Sequence, residues 1–281
     1  MLFDKIYPVT CHTDHVGPNS TFVVIKGFKE DGLQYIQTAI EKGATKIVLD
    51  KSTQLTQKSP GVEYIFVKDT RVALAELCAQ ALGNPTEKLK FIGITGTSGK
   101  TTTTYLIDYI LRESGYKTAL LGSVKNRILD KEEEITLTTQ NSDYIQMFLA
   151  ECVKKGVQVV TMEVSSHGLA LNRIHGINFD VAGFTNLTPE HMDFHPTMDH
   201  YFETKTKIFD YLKKDGLAVI NTDSEWGLKA ANILRDNNDN QNFKTITFGQ
   251  TTPHSNLEFE KFELLQNSLH ELKINFTKCN Q

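Results

Sequence analysis

A glycine-rich stretch near the first third of the chain combines residue types that suit phosphate binding. It consists of Thr95, Gly96, Thr97, Ser98, Gly99, Lys100, Thr101 and Thr102. The two glycines let the backbone turn tightly and aim several N–H groups at one point, where the start of a helix also favours an anion. Lys100 adds a positive charge for outer phosphates, and Thr101 offers a hydroxyl where phosphate loops carry a Mg²⁺ ligand. The stretch is interpreted as a site for the phosphates of a nucleotide.

One position departs from the general phosphate-loop pattern. The pattern G-x-x-x-x-G-K-[ST] requires glycine at 94, whereas Ile94 stands there and Gly93 comes one place early. The alternative interpretation is a strand-to-helix turn with incidental glycines. The flanks favour the phosphate site, because residues 89–94 predict a short strand and apolar residues then recur at helical spacing before Gly115. These apolar residues are Tyr105, Leu106, Tyr109 and Ile110.

An acidic residue follows directly on a second apolar run. Glu163 comes after residues 157–162, which read as a buried strand. Its carboxylate is expected at the carboxyl end of the sheet, beside the phosphate loop if the two strands are neighbours, where it could hold Mg²⁺. The alternative is a solvated acid at a strand end, which is the usual environment of a glutamate.

Five of the nine histidines lie between residues 167 and 200: His167, His175, His191, His195 and His200. The spacing of His191 and His195 would bring both rings to one face of a helix, which invites a zinc hypothesis. Pro196 and the turn-like residues 186–189 argue against a regular helix there. Zinc is therefore the disfavoured interpretation.

Two lysines follow this histidine cluster. Lys205 and Lys207 lie in a stretch from Met198 to Lys213 whose apolar residues recur at helical spacing. A solvated helix face is the ordinary explanation for such lysines, and we adopt it for Lys207. For Lys205 the sequence alone leaves the question open.

Composition excludes several classes of function. The 281 residues, 40% hydrophobic and 23% charged, can form one large core or two ordinary ones, and two domains are favoured. A net charge of −4 provides no basic field for nucleic acid. The four cysteines are widely spaced, and neither a signal peptide nor an apolar run of 18 residues is visible. We expect a soluble cytoplasmic protein with free thiols and no membrane partner.

The order of predicted elements indicates an α/β fold. Residues 1–88 show a β-α-β rhythm, with a helix after Asp69 that Gly83 and the following residues end. Residues 89–281 again alternate strands with helices, which predicts a mainly parallel sheet of the P-loop ATPase type. A terminal antiparallel hairpin is expected from the polar and apolar alternation around residues 266–268. We place the domain boundary near residue 88.

Three segments together resemble the Mur ligases. Residues Thr95 to Thr102 match the family's loop pattern T-G-T-x-G-K-T-T. Residues 162–169, Met-Glu-Val-Ser-Ser-His-Gly-Leu, are similar to the segment that distinguishes the tripeptide-forming branch of the family. Residues 185–195 are similar to the pattern T-N-L-x-x-D-H-L-D-x-H, with Glu190 in place of the aspartate. The resemblance spans nearly all of the chain.

The resemblance implies an ATP-dependent ligase of peptidoglycan synthesis. ATP would phosphorylate the terminal carboxylate of UDP-N-acetylmuramoyl-L-alanyl-D-glutamate, and an incoming amino acid would attack the acyl-phosphate. It implies that Lys100 holds the β- and γ-phosphates, that Thr101 and Glu163 hold one Mg²⁺, and that His191 holds a second. Lys205 falls where the family carries an N-carboxylated lysine, whose anionic oxygens would support Mg²⁺. A monomer is expected.

The resemblance also implies further binding residues. Asn186 and Asn221 would contact the nucleotide, with Asp223 near the adenine side. Thr138, Thr139, Ser165 and Arg173 would contact the nucleotide-peptide substrate. The family's uridine-binding D-S-R aligns with residues 12–14, so that Thr13 keeps a hydroxyl while the acid and the arginine are lost. Gln140 stands where a proline is usual. ATP use is thus better supported than UDP recognition.

The family has a third, C-terminal domain that residues 1–281 do not resemble. We therefore expect that this chain carries the first two domains. The alternative is a nucleotide-binding or regulatory module that performs no ligation. Whether lysine, meso-diaminopimelate or another amino acid is added stays open at this point.

Overall fold

A computed structural model of the chain describes residues 2–27, 30–55, 57–135, 137–236 and 243–249, together with the backbone of two strands at 257–264 and 272–278. The helices of the described residues are α1 Ile36–Glu41, α2 Thr70–Ala81, α3 Lys100–Glu113, α4 Ser142–Lys154, α5 Ser166–Ala170, α6 Met198–Thr206 and α7 Glu225–Asp236. The strands are β1 Val9–Thr10, β2 Thr21–Val23, β3 Lys46–Asp50, β4 Glu63–Val67, β5 Lys90–Thr95, β6 Thr118–Leu121, β7 Lys125–Ile128, β8 Lys131–Glu134, β9 Val159–Glu163, β10 Phe179–Phe184, β11 Leu212–Asn221, β12 Lys244–Gly249, β13 Leu257–Leu264 and β14 Leu272–Lys278.

The first sheet contains four parallel strands in the order β1-β2-β3-β4. Successive side chains of a strand point to opposite faces, so each strand contributes to two cores. Phe22 and Ile47 pack with Ala39 of α1 on one face. Val23 and Val48 belong to the cluster on the other face, which α2 covers. The predicted β-α-β arrangement of this region is confirmed.

The start and the end of α2 follow local rules. The Asp69 carboxylate accepts hydrogen bonds from the N–H groups of Arg71 and Val72, which is the expected N-cap. Gly83 and Asn84 then adopt positive φ values of 73° and 50°. A right-handed helix cannot continue through residues in this conformation, so α2 ends before them.

The second sheet has the strand order β14-β13-β12-β11-β10-β5-β9-β6-β7-β8. The pairs β5-β10, β10-β11, β11-β12 and β12-β13 are parallel, whereas β13-β14, β6-β7 and β7-β8 are antiparallel. A mainly parallel sheet with a terminal hairpin is therefore confirmed. Strand β5 lies between β9 and β10, so the loop that follows it opens at the middle of the sheet. Strands β7 and β8 were not predicted, because their polar residues show no alternation that marks a buried face.

Two compact units divide the chain. The first comprises Met1–Lys90, Ile107–Val160 and His167–Ile177, and the second comprises Phe91–Leu106, Thr161–Ser166 and Asn178–Gln281. The domain boundary near residue 88 stays a prediction.

Helix α3 differs from its predicted burial. Thr104 and Asp108 are buried, whereas Leu106, Tyr109 and Ile110 are 54%, 59% and 61% exposed. Asp108 can be buried because its carboxylate pairs with the guanidinium of Arg127, which is buried as well. Helical spacing predicted the helix correctly, but its apolar residues do not mark the face that packs inward.

The helix predicted over 198–213 is shorter than expected. Helix α6 ends at Thr206, a 3-10 helix covers Lys207–Tyr211, and β11 begins at Leu212. Leu212 pairs with Phe179 of β10, and the ammonium of Lys213 lies 2.8 Å from the Asp180 carboxylate. Because of these contacts to β10, the residues predicted as the last turn of the helix form the start of a strand.

Among the helices of the described ranges, none has both the length and the apolar character needed to cross a membrane. Cys11, Cys78 and Cys152 are free thiols, and Cys279 lies outside the described residues.

Candidate functional site

The glycine loop between β5 and α3 ends in an open helix N-terminus. Gly96 and Gly99 have φ values of 142° and 83°, which favour glycine. The first N–H with a helical acceptor is that of Thr103, which donates to the Gly99 carbonyl. The N–H groups of residues 99–102 precede it, and none of the hydrogen bonds of the described residues engages them. Together with the positive end of the helix dipole, these N–H groups could bind an anion.

Two lysines converge on one carbonyl of this loop. The ammonium of Lys100 donates to the carbonyl oxygens of Gly96 at 2.9 Å and Thr97 at 2.7 Å. The ammonium of Lys205 donates to the same Gly96 oxygen at 2.6 Å and lies 4.7 Å from the centre of the Tyr201 ring. The structure thus brings Lys100 and Lys205 to the loop, while Lys207 is exposed.

Burial lowers the pKa of both lysines. Lys205 is only 1% exposed, and this burial, together with the nearby charge of Lys100, lowers the pKa of Lys205 to about 7. Burial also lowers the pKa of Lys100, although Glu163 and Glu190 oppose that shift. A buried lysine with a depressed pKa holds a large fraction of neutral amine near neutral pH, which makes it a nucleophile.

Glu163 ends β9, the neighbour of β5 in the sheet. Its side chain is fully buried, and its carboxylate oxygen Oε2 accepts a hydrogen bond of 2.9 Å from the Thr101 hydroxyl. A solvated strand-end acid is therefore wrong as a description of this residue. Two oxygen donors, a carboxylate and a hydroxyl, meet at the start of α3, and these are the donor types that Mg²⁺ prefers.

The histidine cluster does not form the helical pair of the zinc hypothesis. His191 has a φ of 55°, is exposed, and lies 4.0 Å from the carboxylate of Glu190. His195 is buried, and its Nδ1 lies 3.1 Å from Nδ1 of His200. In the described ranges, no group of three or more His, Cys, Asp and Glu side chains could hold a metal ion. The argument from Pro196 against a helix is confirmed.

The first unit contains a pocket of about 530 Å³ that has two arginines in its wall. Its lining residues are Cys11, Ile25, Gly27, Arg71, Leu74, Leu137, Asn141, Ser142, Leu171 and Arg173. Arg173 donates to the Thr139 carbonyl at 2.8 Å, and its Nε is buried without a hydrogen-bond partner among the described residues. Arg71 donates to the Lys26 carbonyl at 3.1 Å. The described residues that line the pocket include no acid, so it suits an anion.

The two arginines also affect each other electrostatically. Burial is the main cause that lowers the pKa of Arg173, and the charge of Arg71 adds to it. Burial likewise lowers the pKa of Arg71. Both groups remain cationic at neutral pH, because an arginine pKa starts far above it. A bound anion would relieve the unfavourable proximity of two half-buried positive charges.

The other expected substrate and nucleotide residues lie as follows. Thr138 and Thr139 precede α4. Thr139 is buried against Gly168, so a Cβ added at Gly168 would lie 2.7 Å from the Thr139 side chain. Thr13 lies in the 3-10 helix Thr13–His15, and its carbonyl accepts from Lys42 at 2.9 Å. Ser165 is half-buried before α5. Of these residues, the structure brings Thr139 together with Arg173.

Asn186 and Asn221 follow or end strands of the second unit. The side chain of Asn186 pairs with the backbone of Ser98 in the glycine loop. Asn221 ends β11, and its Oδ1 accepts from the N–H of Asp223 at 3.0 Å. Asn186 therefore lies at the loop itself, whereas the described side-chain contact of Asn221 is local.

Comparison with known proteins decides the family. Residues 94–280 match the model of the Mur ligase middle domain, and residues 5–81 match that of the Mur ligase family, catalytic domain. The chain belongs to the Mur ligase family. The resemblance inferred from the loop and from residues 162–169 and 185–195 is thereby confirmed.

Several similar Mur ligases carry the same name, UDP-N-acetylmuramoyl-L-alanyl-D-glutamate--2,6-diaminopimelate ligase. The protein from Caldanaerobacter subterraneus subsp. tengcongensis is 44% identical over 209 residues, which is 74% of this chain and 42% of that protein. The protein from Clostridium tetani is 39% identical over 250 residues, or 89% of this chain and 49% of that protein. The chain spans about half the length of the curated relatives it matches.

Solved structures of Mur ligases share the fold. A UDP-N-acetylmuramoyl-L-alanyl-D-glutamate--2,6-diaminopimelate ligase superposes with a TM-score of 0.81 at 24% identity, covering 98% of this chain and 54% of that one. MurF ligase from Thermotoga maritima in complex with ADP superposes with a TM-score of 0.61 at 22% identity, covering 93% and 54%. The α/β fold is therefore that of the Mur ligases.

Sequence reasoning missed two residues at or beside the pocket that Arg173 lines. Arg71 follows the first residue of α2 and has no motif around it, so its position beside Arg173 appears only in the fold. Asp143 accepts from the Thr10 hydroxyl at 2.8 Å and from the Cys11 N–H at 3.1 Å, which fixes one wall of the arginine pocket. No sequence pattern marks these contacts, because the partners are 132 or more residues apart.

Proposed function

We propose that this chain forms the nucleotide-binding and substrate-binding part of an ATP-dependent ligase that adds 2,6-diaminopimelate to UDP-N-acetylmuramoyl-L-alanyl-D-glutamate. The observation that carries the proposal is the hydrogen bond between Thr101 and the buried carboxylate of Glu163, directly at the helix that follows the glycine loop. The names of the relatives support the choice of substrate and amino acid. In this assignment residues 1–88 form the N-terminal domain and residues 89–281 belong to the central domain.

The glycine loop would bind the ATP phosphates. The N–H groups of residues 99–102 and the α3 dipole attract the β-phosphate, and Lys100 neutralises charge on the β- and γ-phosphates. To reach them, Lys100 exchanges its hydrogen bonds to the Gly96 and Thr97 carbonyls for contacts with phosphate oxygens. Charge-assisted hydrogen bonds of this kind are about twice as strong as neutral ones, which favours the exchange.

Thr101 and Glu163 fit a Mg²⁺ ion by donor chemistry, since both supply oxygen and the carboxylate is already buried. The ion would neutralise charge on the transferred phosphoryl group. The family resemblance adds His191 and an N-carboxylated Lys205 to the metal-binding set. Histidine on Mg²⁺ is chemically unusual, so His191 rests on the resemblance alone.

Carboxylation of Lys205 is supported by its surroundings. The side chain is buried beside Lys100, where a second positive charge is unfavourable. Addition of CO₂ to the neutral amine forms an N–C bond and releases one proton, which converts the side chain into an anion. An anion at this position would attract Lys100 and a metal ion instead of repelling them.

The arginine pocket would hold an anionic part of the UDP-muramoyl dipeptide. Arg71 and Arg173 offer guanidinium donors that match phosphate or carboxylate oxygens. Thr139, whose carbonyl orients Arg173, belongs to the same site, and Thr13, Thr138 and Ser165 are proposed with them from the family resemblance. The nearby acid Asp143 accepts hydrogen bonds from Thr10 and Cys11, and no ion pair of the described residues joins it to either arginine.

The experiment is isothermal calorimetry of ATP with Mg²⁺ on the wild type, Lys100→Ala and Lys207→Ala. We expect at least a tenfold loss of affinity for Lys100→Ala and none for Lys207→Ala, whose side chain is exposed. Equal affinity in all three proteins would remove the loop from the function. The same samples, incubated with the UDP-muramoyl dipeptide and either lysine or meso-diaminopimelate, are analysed for tripeptide by mass spectrometry. ATP binding without tripeptide agrees with this chain forming one part of the ligase, whereas tripeptide formation by the chain alone would show that it carries the complete activity.

A further inference from the structure

The segment that follows β10 lies along the glycine loop and contacts its backbone. The Asn186 side chain pairs with both sides of Ser98: its Oδ1 accepts from the Ser98 N–H at 2.9 Å, and its Nδ2 donates to the Ser98 carbonyl at 3.1 Å. The backbone carbonyl of Asn186 accepts from the Thr97 N–H at 3.0 Å. The side-chain amide of Asn186 therefore pairs with the backbone of Ser98 in the way that a peptide group of a neighbouring strand would.

Thr185 and Thr188 extend this contact on both sides. The Thr185 hydroxyl lies 2.7 Å from the Ser98 carbonyl, and its N–H donates to the Thr95 carbonyl at 3.0 Å. The Thr188 N–H donates to the Thr97 hydroxyl at 3.0 Å. A Cβ at Gly96 would lie 1.9 Å from the Thr185 hydroxyl, so glycine is required for this close approach. Hydrogen bonds from this segment thus hold the first half of the loop at Thr95, Thr97 and Ser98.

This arrangement divides the loop N–H groups into two sets. Those of Thr97 and Ser98 are occupied by Asn186, whereas those of residues 99–102 face no acceptor among the described residues. An anion can use the second set without breaking any contact of the first.

We propose that Asn186 is a positioning residue: it fixes the Ser98 peptide so that the N–H groups of residues 99–102 converge on the β-phosphate, and it does not itself contact the nucleotide. This inference rests on the proposed ATP site. It also restricts the roles of Thr97 and Ser98, which shape the loop without donating their N–H groups to phosphate.

A first test needs no nucleotide. Amide hydrogen exchange of the nucleotide-free protein is measured by NMR for the wild type, Asn186→Ala and Lys100→Ala. We expect the Ser98 amide to exchange roughly tenfold faster in Asn186→Ala, because its acceptor is lost, and to be unchanged in Lys100→Ala. An unchanged Ser98 amide in Asn186→Ala would overturn the inference.

A second test separates positioning from direct contact. Affinities for ADP and AMP are compared, since AMP lacks the β-phosphate. For Asn186→Ala we expect a loss of roughly tenfold for ADP and an unchanged affinity for AMP. Equal losses for both nucleotides would indicate contact with the nucleoside and would overturn the inference.

Variants of Thr185 provide the matched control. Thr185→Ser keeps the hydroxyl on the Ser98 carbonyl and should retain ADP affinity, whereas Thr185→Val should lower it. If the Thr185→Val and Asn186→Ala variants both retained wild-type affinity for ADP, positioning by this segment would be contradicted. If the wild type and Lys100→Ala bind ADP equally, the proposed ATP site fails, and the Ser98 exchange rates still decide the role of Asn186.

Discussion

The ammonium of Lys205 lies 2.6 Å from the carbonyl oxygen of Gly96, a residue 109 positions earlier in the chain. The same oxygen accepts from Lys100 at 2.9 Å, so two lysines share one neutral acceptor in a buried environment. A single carbonyl dipole does not offset the cost of burying a second positive charge. Burial and the neighbouring charge of Lys100 therefore disfavour the protonated form of Lys205, and this carries the first two predictions below.

The first prediction concerns stability against pH in CO₂-free buffer. The pKa of Lys205 falls from 10.5 in the unfolded chain to about 7 in the folded protein, so the unfolded state binds more protons between these values. As pH rises from about 7 to about 10.5, the free energy of unfolding should therefore increase by roughly 1.4 kcal/mol per pH unit because of Lys205. Below pH 7 the destabilisation by the protonated, buried Lys205 is fully present.

Urea unfolding of the wild type and Lys205→Met across this window isolates the effect. The difference in unfolding free energy should favour Lys205→Met by several kcal/mol at neutral pH and shrink toward alkaline pH. Lys207→Met serves as the control, because its exposed side chain should leave the pH profile unchanged. A pH-independent difference between wild type and Lys205→Met would refute the buried-amine description.

The second prediction is carboxylation of Lys205. Equilibration with carbon-13-labelled bicarbonate should produce a carbamate resonance in the wild type and in Lys207→Ala, but not in Lys205→Ala. The reason is that the buried amine reacts with CO₂ in its neutral form and gains favourable interaction with Lys100. A resonance that survives in Lys205→Ala would assign the modification to another amine.

The third prediction concerns the buried ion pair between Asp108 and Arg127. Both side chains are almost fully buried, and Arg127 also donates to the Thr118 hydroxyl at 3.1 Å. Asp108→Ala should destabilise the fold by about 3–5 kcal/mol, because it leaves a buried charge without its partner. Thermal or urea unfolding measures the loss.

An exposed ion pair of the same helix offers the control. Arg112 lies 3.7 Å from Asp130, and both side chains are largely exposed. Asp130→Ala should therefore cost no more than about 1 kcal/mol. Similar losses for Asp108→Ala and Asp130→Ala would contradict the larger contribution expected of the buried pair.

The fourth prediction addresses the arginine pocket. Arg71→Gln and Arg173→Gln should each weaken binding of the UDP-muramoyl dipeptide by roughly tenfold or more, since each removes a charge-assisted contact to an anion. ATP affinity, measured on the same samples, should not change. If neither substitution weakens binding of the UDP-muramoyl dipeptide, the pocket is excluded as the anion site. A parallel loss of ATP affinity would also exclude it.

Local sequence rules predicted several elements correctly. The strands predicted over residues 89–94 and 157–162 appear as β5 and β9, and Asp69 caps α2 as predicted. These features depend on a few neighbouring residues, so short-range patterns suffice. The prediction failed where a remote partner decides the state, as at Leu212, which joins β10 through Phe179 instead of continuing a helix.

The sequence by itself determined the family and the glycine loop between β5 and α3, because glycine positions, a lysine and a hydroxyl at fixed spacing are local features of the chain. Only the tertiary structure decided which distant residues complete the sites. The strand order brings Glu163 to Thr101, the fold of the first unit brings Arg71 to the pocket of Arg173, and the segment after β10 brings Asn186 to Ser98. These contacts join residues 62 or more positions apart, so their formation depends on strand pairing and burial and leaves no local pattern in the sequence.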